Sequence, residues 1–456
     1  MNQIKRGNRL LTLQERVEIM VRAERKENDT QIAEAMQLNK SVVRKWRRKA
    51  RDDGRDGLLT FIGRPKSGPL GHSAEEMRDA IKEWRNGHPG WGAGTLRVEL
   101  TLDERFADLP IPCCSGIAAY LKSEKFPRPY QRHTELTNPA PQKVTECHEE
   151  WEMDAQGVCK VAGVGLVNLI NIVDPFSRVR ASWACANKWK AAGPDYQLAL
   201  RRAFFCFGTP LVISLDHDSA FFDNTTPSPF PSLLHLWLIA LGMEVRFLEH
   251  RPPREHACIE RSHQIIHRQA VQGQTATPTS LQPYLDQRLE FLNGHYPSRS
   301  LHGQAPLDAY PQAIHSGREY RPEWEEGALD MQKVYAYLSR QEWFRQTSTK
   351  GQLVLGSQRY GLGKDWSKQT VRITFDPNTH EYVVCSADGQ QTERLIAQRL
   401  TQKDLMGELN MAAFANHQYA FPWSALALRQ NQTADLIGTT LLDNAKFGRY
   451  DFTRQC

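Results

Sequence analysis

Three acidic residues stand in three separate patches of this 456-residue chain: Asp154 in Trp151-Glu152-Met153-Asp154, Asp216 in Val212-Ile213-Ser214-Leu215-Asp216-His217-Asp218, and Glu260 in Cys258-Ile259-Glu260-Arg261. The first two follow strand-like apolar runs, and the third lies just inside a predicted helix. Carboxylates held on neighbouring strands and a helix can converge into an oxygen cage for a hard divalent cation such as Mg²⁺. A pair of such ions can activate both the attacking and the leaving oxygen of a phosphodiester. Converged in this way, the three residues would cut and join nucleic acid. Asp218 is the alternative second ligand. On the helix of Glu260, His263 and His267 lie three and seven residues on and share its face. With Arg261 they are candidate contacts for a DNA backbone. Asp174 ends a strong strand but precedes Pro175, and its expected task is to cap that turn.

The elements that must position these groups are readable around them. Strand-like runs fall at 151–154, 165–173, 179–186, 211–215 and 244–248, with helical patterns at 194–207, 232–241 and 255–272. Three consecutive strands, a helix, a strand, a helix and a strand describe a mixed sheet with helices packed on it. That order fits an α/β ribonuclease-H-like core, placed at 147–318. Further helical signals at 281–292 and 324–343 include a connecting helix in 319–345. Short alternating runs with turns at Asp376-Pro377-Asn378 and Asp388-Gly389 predict a small β-barrel over 346–401. The tail, 402–456, has helical and polar stretches without a clear core, and no fold is assigned to it.

The N-terminal part is of another kind. The chain's net charge is +6, and residues 1–67 carry 17 Lys/Arg against 9 Asp/Glu, so the basic excess is concentrated there. Such a segment on a near-neutral body suits nucleic acid as partner. Residues 1–60 read as a helix-turn-helix, with Val17, Met20 and Val21 at helical spacing in the first helix and Asp29 or Thr30 capping the second. In the third, Val43, Trp46 and Ala50 point inward, leaving Lys40, Ser41, Arg44, Lys45, Arg47 and Arg48 for a DNA groove. A basic linker, 61–72, contains Gly63-Arg64-Pro65-Lys66, which resembles the core of an AT-hook and offers Arg64 and Lys66 to a minor groove. A second helical DNA-binding domain is expected at 73–128 and a Pro-rich, polar linker at 129–146. The whole is a multidomain chain: helical helix-turn-helix domains, an α/β core and a C-terminal barrel.

Composition excludes several classes. No run of about 18 apolar residues is present, so no membrane span is expected, and the start of the chain lacks the apolar stretch of a secretory signal. The nine cysteines are scattered without paired zinc-site spacing, which argues for reduced thiols. A cytoplasmic, bacterial and nucleoid-associated protein is the expectation.

Taken together, the motifs resemble the catalytic core of the DDE integrase and transposase superfamily. The matching elements, in order, are Trp151-Glu152-Met153-Asp154, Ile172-Val173-Asp174-Pro175-Phe176-Ser177-Arg178, Asp216-His217-Asp218-Ser219-Ala220-Phe221, and Arg251-Pro252-Pro253-Arg254 before Glu260-Arg261. Asn293, Arg299, His302 and Pro306 are similar to the polar signature that closes this core. Two features depart from the family: Asp218 stands where a glycine is usual, and 43 residues separate Asp216 from Glu260. That spacing exceeds the common one by about two helical turns, and the surplus is expected in 222–231. The resemblance spans roughly residues 11 to 400, the barrel being similar to that of Mu-like transposases. It implies a magnesium-dependent DNA transposase with Asp154, Asp216 and Glu260 as catalytic metal ligands and two Mg²⁺, for which Mn²⁺ can substitute. It also implies terminal-repeat and target DNA as substrates, a homo-oligomer on DNA, and an ATPase target-selection partner. The alternatives are a catalytically inactive DNA-binding regulator, a plain nuclease of ribonuclease-H type, and a tyrosine recombinase, for which His315 and Arg318 are the only cluster.

Overall fold

The computed structural model describes residues 11–54, 58, 68–127, 144–218, 220–221, 226, 228–247 and 257–414. The readings on Arg64, Lys66, Ser219, the 251–254 motif and the distal tail lie outside these residues. The chain divides into two compact units, 1–74 and 75–456.

In the first unit, α1 (Leu13–Glu24), α2 (Asp29–Ala35) and α3 (Lys40–Asp53) are each started by a side-chain cap. Thr12 and Glu15 form a capping box for α1, Asn28 and Gln31 one for α2, and Asn39 caps α3. The cap of α2 is therefore Asn28, not Asp29 or Thr30; Asp29 instead turns its carboxylate to Arg44 and Arg47 of α3. Leu11, Ile19, Ile32, Ala33, Val43, Trp46 and Leu58 form the core. Of the first helix's apolar residues Ile19 is fully buried, whereas Val17 is 44% exposed. Arg16 is buried, donates to the carbonyls of Leu11 and Leu58, and lies over the Trp46 ring at 4.2 Å.

The second unit opens with α4 (Glu75–Gly87), α5 (Ala93–Leu102) and α6 (Cys114–Ser123). A five-stranded sheet follows, built from β1 (Glu150–Val161), β2 (Gly165–Val173), β3 (Arg180–Ala186), β4 (Val212–Leu215) and β5 (Glu244–Phe247) in the order β3-β2-β1-β4-β5. β1, β2 and β3 pair antiparallel, whereas β4 runs parallel to β1 and β5 to β4. Helices α7 (Gly193–Phe207) and α8 (Leu233–Ala240) cover one face, where Trp151, Met153, Ile170, Phe204 and Trp237 share a core. On the other face α9 (Ala257–Ile266), a π-helical turn at His267–Val271, and α10 (Leu281–Gly294) pack Ile265, Ile266 and Leu292 against Val167 and Leu169. This is the mixed α/β core expected from the strand order.

Helices α4–α6 are part of this unit. Trp91 donates its indole N–H to the Gln269 carbonyl in the π-turn at 3.2 Å, stacks on His88, and lies under the Arg288 guanidinium of α10. Arg288 also pairs with Glu99 of α5 at 2.7 Å. Gly90 lies so close to the Arg268 carbonyl that a Cβ there would collide with it.

The single connecting helix expected within 319–345 is not formed. Residues 306–309 form the short helix α11 (Pro306–Ala309), followed after several turns by α12 (Glu325–Ala328) and α13 (Met331–Leu338), and Trp343 already begins a strand. The break has a local cause: Asp330 caps α13 afresh. Beyond it lie β6 (Trp343–Gln346), β7 (Gln352–Leu355), β8 (Gln358–Gly361), β9 (Thr370–Asp376), β10 (Glu381–Ser386) and β11 (Thr392–Ile396). They form a four-stranded sheet, β11-β10-β9-β6, and a separate β7-β8 ribbon. Hydrogen-bonded closure into a barrel is absent among the described residues. The stretch expected to hold the surplus between Asp216 and Glu260 carries this module: Ser228 bonds Phe344 and Arg345, and Phe230 packs on Trp343 at 4.8 Å. The start of the tail is also folded. α14 (Gln402–Met406) and the following turn bury Leu405 and Phe414 in the main core.

Candidate active site

Strand alternation decides which side chains of β1 can act together. Trp151 and Met153 point into the α7/α8 core, so Glu150, Glu152 and Asp154 share the face covered by α9. Glu150 is neutralised by Arg246 and bonded by Ser214. Asp154 belongs to the same strand four residues on. β1 and β4 run parallel in register, with Glu152 opposite Ser214. Asp154 and Asp216 each lie two residues past that last pair, Asp216 just beyond the end of β4. Glu260 enters from the first turn of α9.

Glu152, to which the sequence reading gave no role, joins these parts. Its Oε2 accepts the N–H of Ile259 at 2.9 Å, fastening the first turn of α9 to β1. Burial pushes its carboxyl up to about 7, against the lowering effect of that bond. Asp154 is also pushed up to about 7, by burial first and then by the charges of Asp216, Asp218 and Glu260. Asp218 is otherwise engaged: Lys190 approaches its Oδ2 at 3.1 Å, and its Oδ1 accepts from Ala220. Asp216 is engaged as well: its Oδ1 accepts the N–H of Asp218 at 2.9 Å.

His263 of α9 and His267, the first residue of the π-turn, are both half-buried. The His263 side chain is 13% exposed, with Nε2 3.8 Å from Asp154 Oδ2. Burial lowers its pKa to about 4, so at neutral pH it is an uncharged imidazole and not an ion-pair partner. Burial lowers His267 as well. Arg261 is exposed. Asp174 accepts from the backbone of His148 and Phe176 and from the Ser177 hydroxyl, which makes it the turn-capping residue expected. In the first unit Lys40, Ser41, Arg44, Lys45 and Arg48 are exposed and Arg47 is half-buried.

The donors fit a hard cation in kind: they are carboxylate oxygens only. Among the described residues no three His, Cys, Asp or Glu side chains stand at ligand spacing, so holding an ion requires the carboxylates to draw closer.

Residues 10–59 match the homeodomain-like domain family, and the three-helix unit with its capped α3 is that domain. No curated protein matches the chain. Among solved structures, the HTLV-2 integrase catalytic core domain in complex with magnesium is similar at 17% identity and a TM-score of 0.27, over 36% of this chain and 97% of that one. The catalytic core of BIV integrase is similar at 16% identity, a TM-score of 0.27, and 36% and 95% coverage. A simian T-cell lymphotropic virus intasome in complex with PP2A regulatory subunit B56 gamma aligns at 12% identity, a TM-score of 0.30, and 67% and 100% coverage.

Proposed function

We propose that this chain is a DNA transposase or integrase of the DDE type: it binds element ends, hydrolyses phosphodiesters to free 3′-hydroxyls, and joins them to target DNA. The observation that supports the reading is the parallel register of β1 and β4, whose last pair, Glu152 with Ser214, lies two residues before Asp154 and Asp216, with Glu260 on a helix fastened to β1. A homeodomain-like unit at the N-terminal side supplies the DNA-binding part. Two Mg²⁺ ions, or Mn²⁺ in their place, would be held by Asp154, Asp216 and Glu260 and supply charge stabilisation at the scissile phosphate. The chain's own residues do the rest. α9 is fixed against β1 by Glu152, the sheet holds β1 and β4 in parallel register, and Lys40, Ser41, Lys45, Arg48 and their neighbours on α3 hold duplex DNA. Arg64, Lys66 and Arg261 are further proposed DNA contacts. No protein nucleophile is needed, so no covalent protein–DNA bond forms.

The protein acts as a homo-oligomer on paired ends, on DNA in the bacterial cytoplasm, and an ATPase partner for target choice belongs to the same proposal. The test is incubation of the full chain with the element's ends and Mg²⁺ or Mn²⁺, scoring nicked and joined products. Asp154→Asn is expected to lose both products while binding DNA as the parent does; near-normal joining by that variant refutes the assignment. A second reading, a catalytically silent DNA-binding regulator, is favoured by the absence of ligand spacing among the described carboxylates. It predicts binding without any metal-dependent nick.

A further inference from the structure

The loop between β3 and α7 carries a side chain that nothing in the site description uses. Trp189 is 74% exposed, more than any other described aromatic among the exposed large hydrophobics. Its surroundings are fixed on every side. The Asn187 N–H donates to the Leu166 carbonyl at 2.7 Å. The buried Asn168 of β2 donates its Nδ2 to the Trp189 carbonyl at 3.1 Å. Lys188 pairs with Asp195 at the start of α7 at 2.6 Å, and Lys190 pairs with Asp218 at 3.1 Å. Ala191 is buried in the main core. The backbone and both neighbouring ammonium groups are anchored, and only the indole projects.

The position is as informative as the exposure. Lys190 ends on Asp218, whose charge acts on Asp154, so Trp189 is one residue from a direct contact with the acidic cluster. The two lysines retain 48% and 56% of their side-chain exposure. An indole between two cations offers a stacking face together with phosphate attraction, the pairing that sequence-tolerant single-strand binding uses. Protein–protein contact is disfavoured, because lysine is depleted in such interfaces. A pinned loop also loses little freedom on binding.

We infer that Trp189, flanked by Lys188 and Lys190, stacks on a nucleobase exposed at a DNA strand end held beside the acidic cluster. This rests on the proposed DNA-joining function, and its test is separable from that function. Short duplexes with a single-stranded 3′ overhang carrying 2-aminopurine would be titrated with the full chain in the absence of divalent cation, alongside blunt duplexes of the same sequence. For the parent, 2-aminopurine emission is expected to be quenched on binding. Trp189→Ala is expected to bind the overhang about ten-fold more weakly and to lose the quenching, while Trp189→Phe keeps most of both. Blunt-duplex binding should be the same in all three. Equal overhang affinity and quenching in Trp189→Ala and parent overturn the inference, even if the parent nicks and joins DNA. A parent that quenches through Trp189 yet never nicks with Mg²⁺ or Mn²⁺ defeats the functional reading and leaves the stacking contact standing.

Discussion

At the scale of single residues, the bond from the Ile259 N–H to Glu152 ties together the strand of Asp154 and the helix of Glu260. Glu152→Ala deletes the acceptor and leaves a buried N–H unpaired, a cost of about 1–3 kcal/mol. Its expected signature is not instability alone. Mn²⁺ titrated calorimetrically should bind about ten-fold more weakly, since the carboxylates lose their common footing, and a second-layer partner of a ligand typically matters by about 10–100-fold. Glu152→Gln retains an oxygen acceptor and should restore most of the affinity. If alanine at this position binds Mn²⁺ as glutamate does, the positioning role is wrong. The alternation in Trp151-Glu152-Met153-Asp154 was readable in the chain and says which residues share a face. The partner of Glu152 was not readable, since it lies 107 residues away. His263 teaches the same lesson: helical spacing groups it with Glu260, but only packing turns that face toward Asp154.

Among elements, a buried carboxylate ties four of them together. Glu325 of α12 is 0% exposed and accepts from Arg201 of α7, from Trp237 of α8 at 2.8 Å and from the Tyr320 hydroxyl. Arg201 in turn donates to the carbonyls of Met406 and Glu408 at the end of α14. Removing one partner of a buried pair strands the other charge. Glu325→Ala should therefore cost about 3–5 kcal/mol in urea unfolding, and a combined Arg201→Met, Glu325→Met variant should recover much of it. An unchanged urea midpoint in the single variant would contradict this account. Here sequence reading ran out in two ways. It expected one helix where Asp330 caps a new one, and it saw no core in the tail because Leu405 and Phe414 complete a core owned by distant helices. Strands β2 to β5 were legible to within a residue or two. β1 was longer than its apolar run, since its hairpin half from Ala155 to Val161 is mostly half-buried.

For the molecule as a whole, acid should unfold the second unit partly through its neutral histidines. Burial lowers both His88 and His235 from 6.5 to about 4. The unfolded chain then binds more protons than the folded one between those values. The stabilisation is complete above pH 6.5 and is lost as pH falls toward 4. Glu152 and Asp154, both pushed up to about 7, act with the opposite sign over the same window, so the histidine contribution is read as a difference. The urea midpoint of His235→Phe should gain on that of the parent as pH falls from 6.5 toward 4, and a constant difference between the two would refute it. The division into two units followed the charge asymmetry seen in the chain, whereas the inclusion of α4–α6 with the sheet depended on Trp91, whose acceptor at Gln269 no local pattern reveals.

That indole contact, with Gly90 close on the Arg268 carbonyl, joins the loop between α4 and α5 to the turn that follows α9. If those helices grip a duplex, the protein works as a ruler. The cut then falls a set number of base pairs from the gripped sequence, and DNA with inserted pairs is cut at the measured distance and not at the original junction.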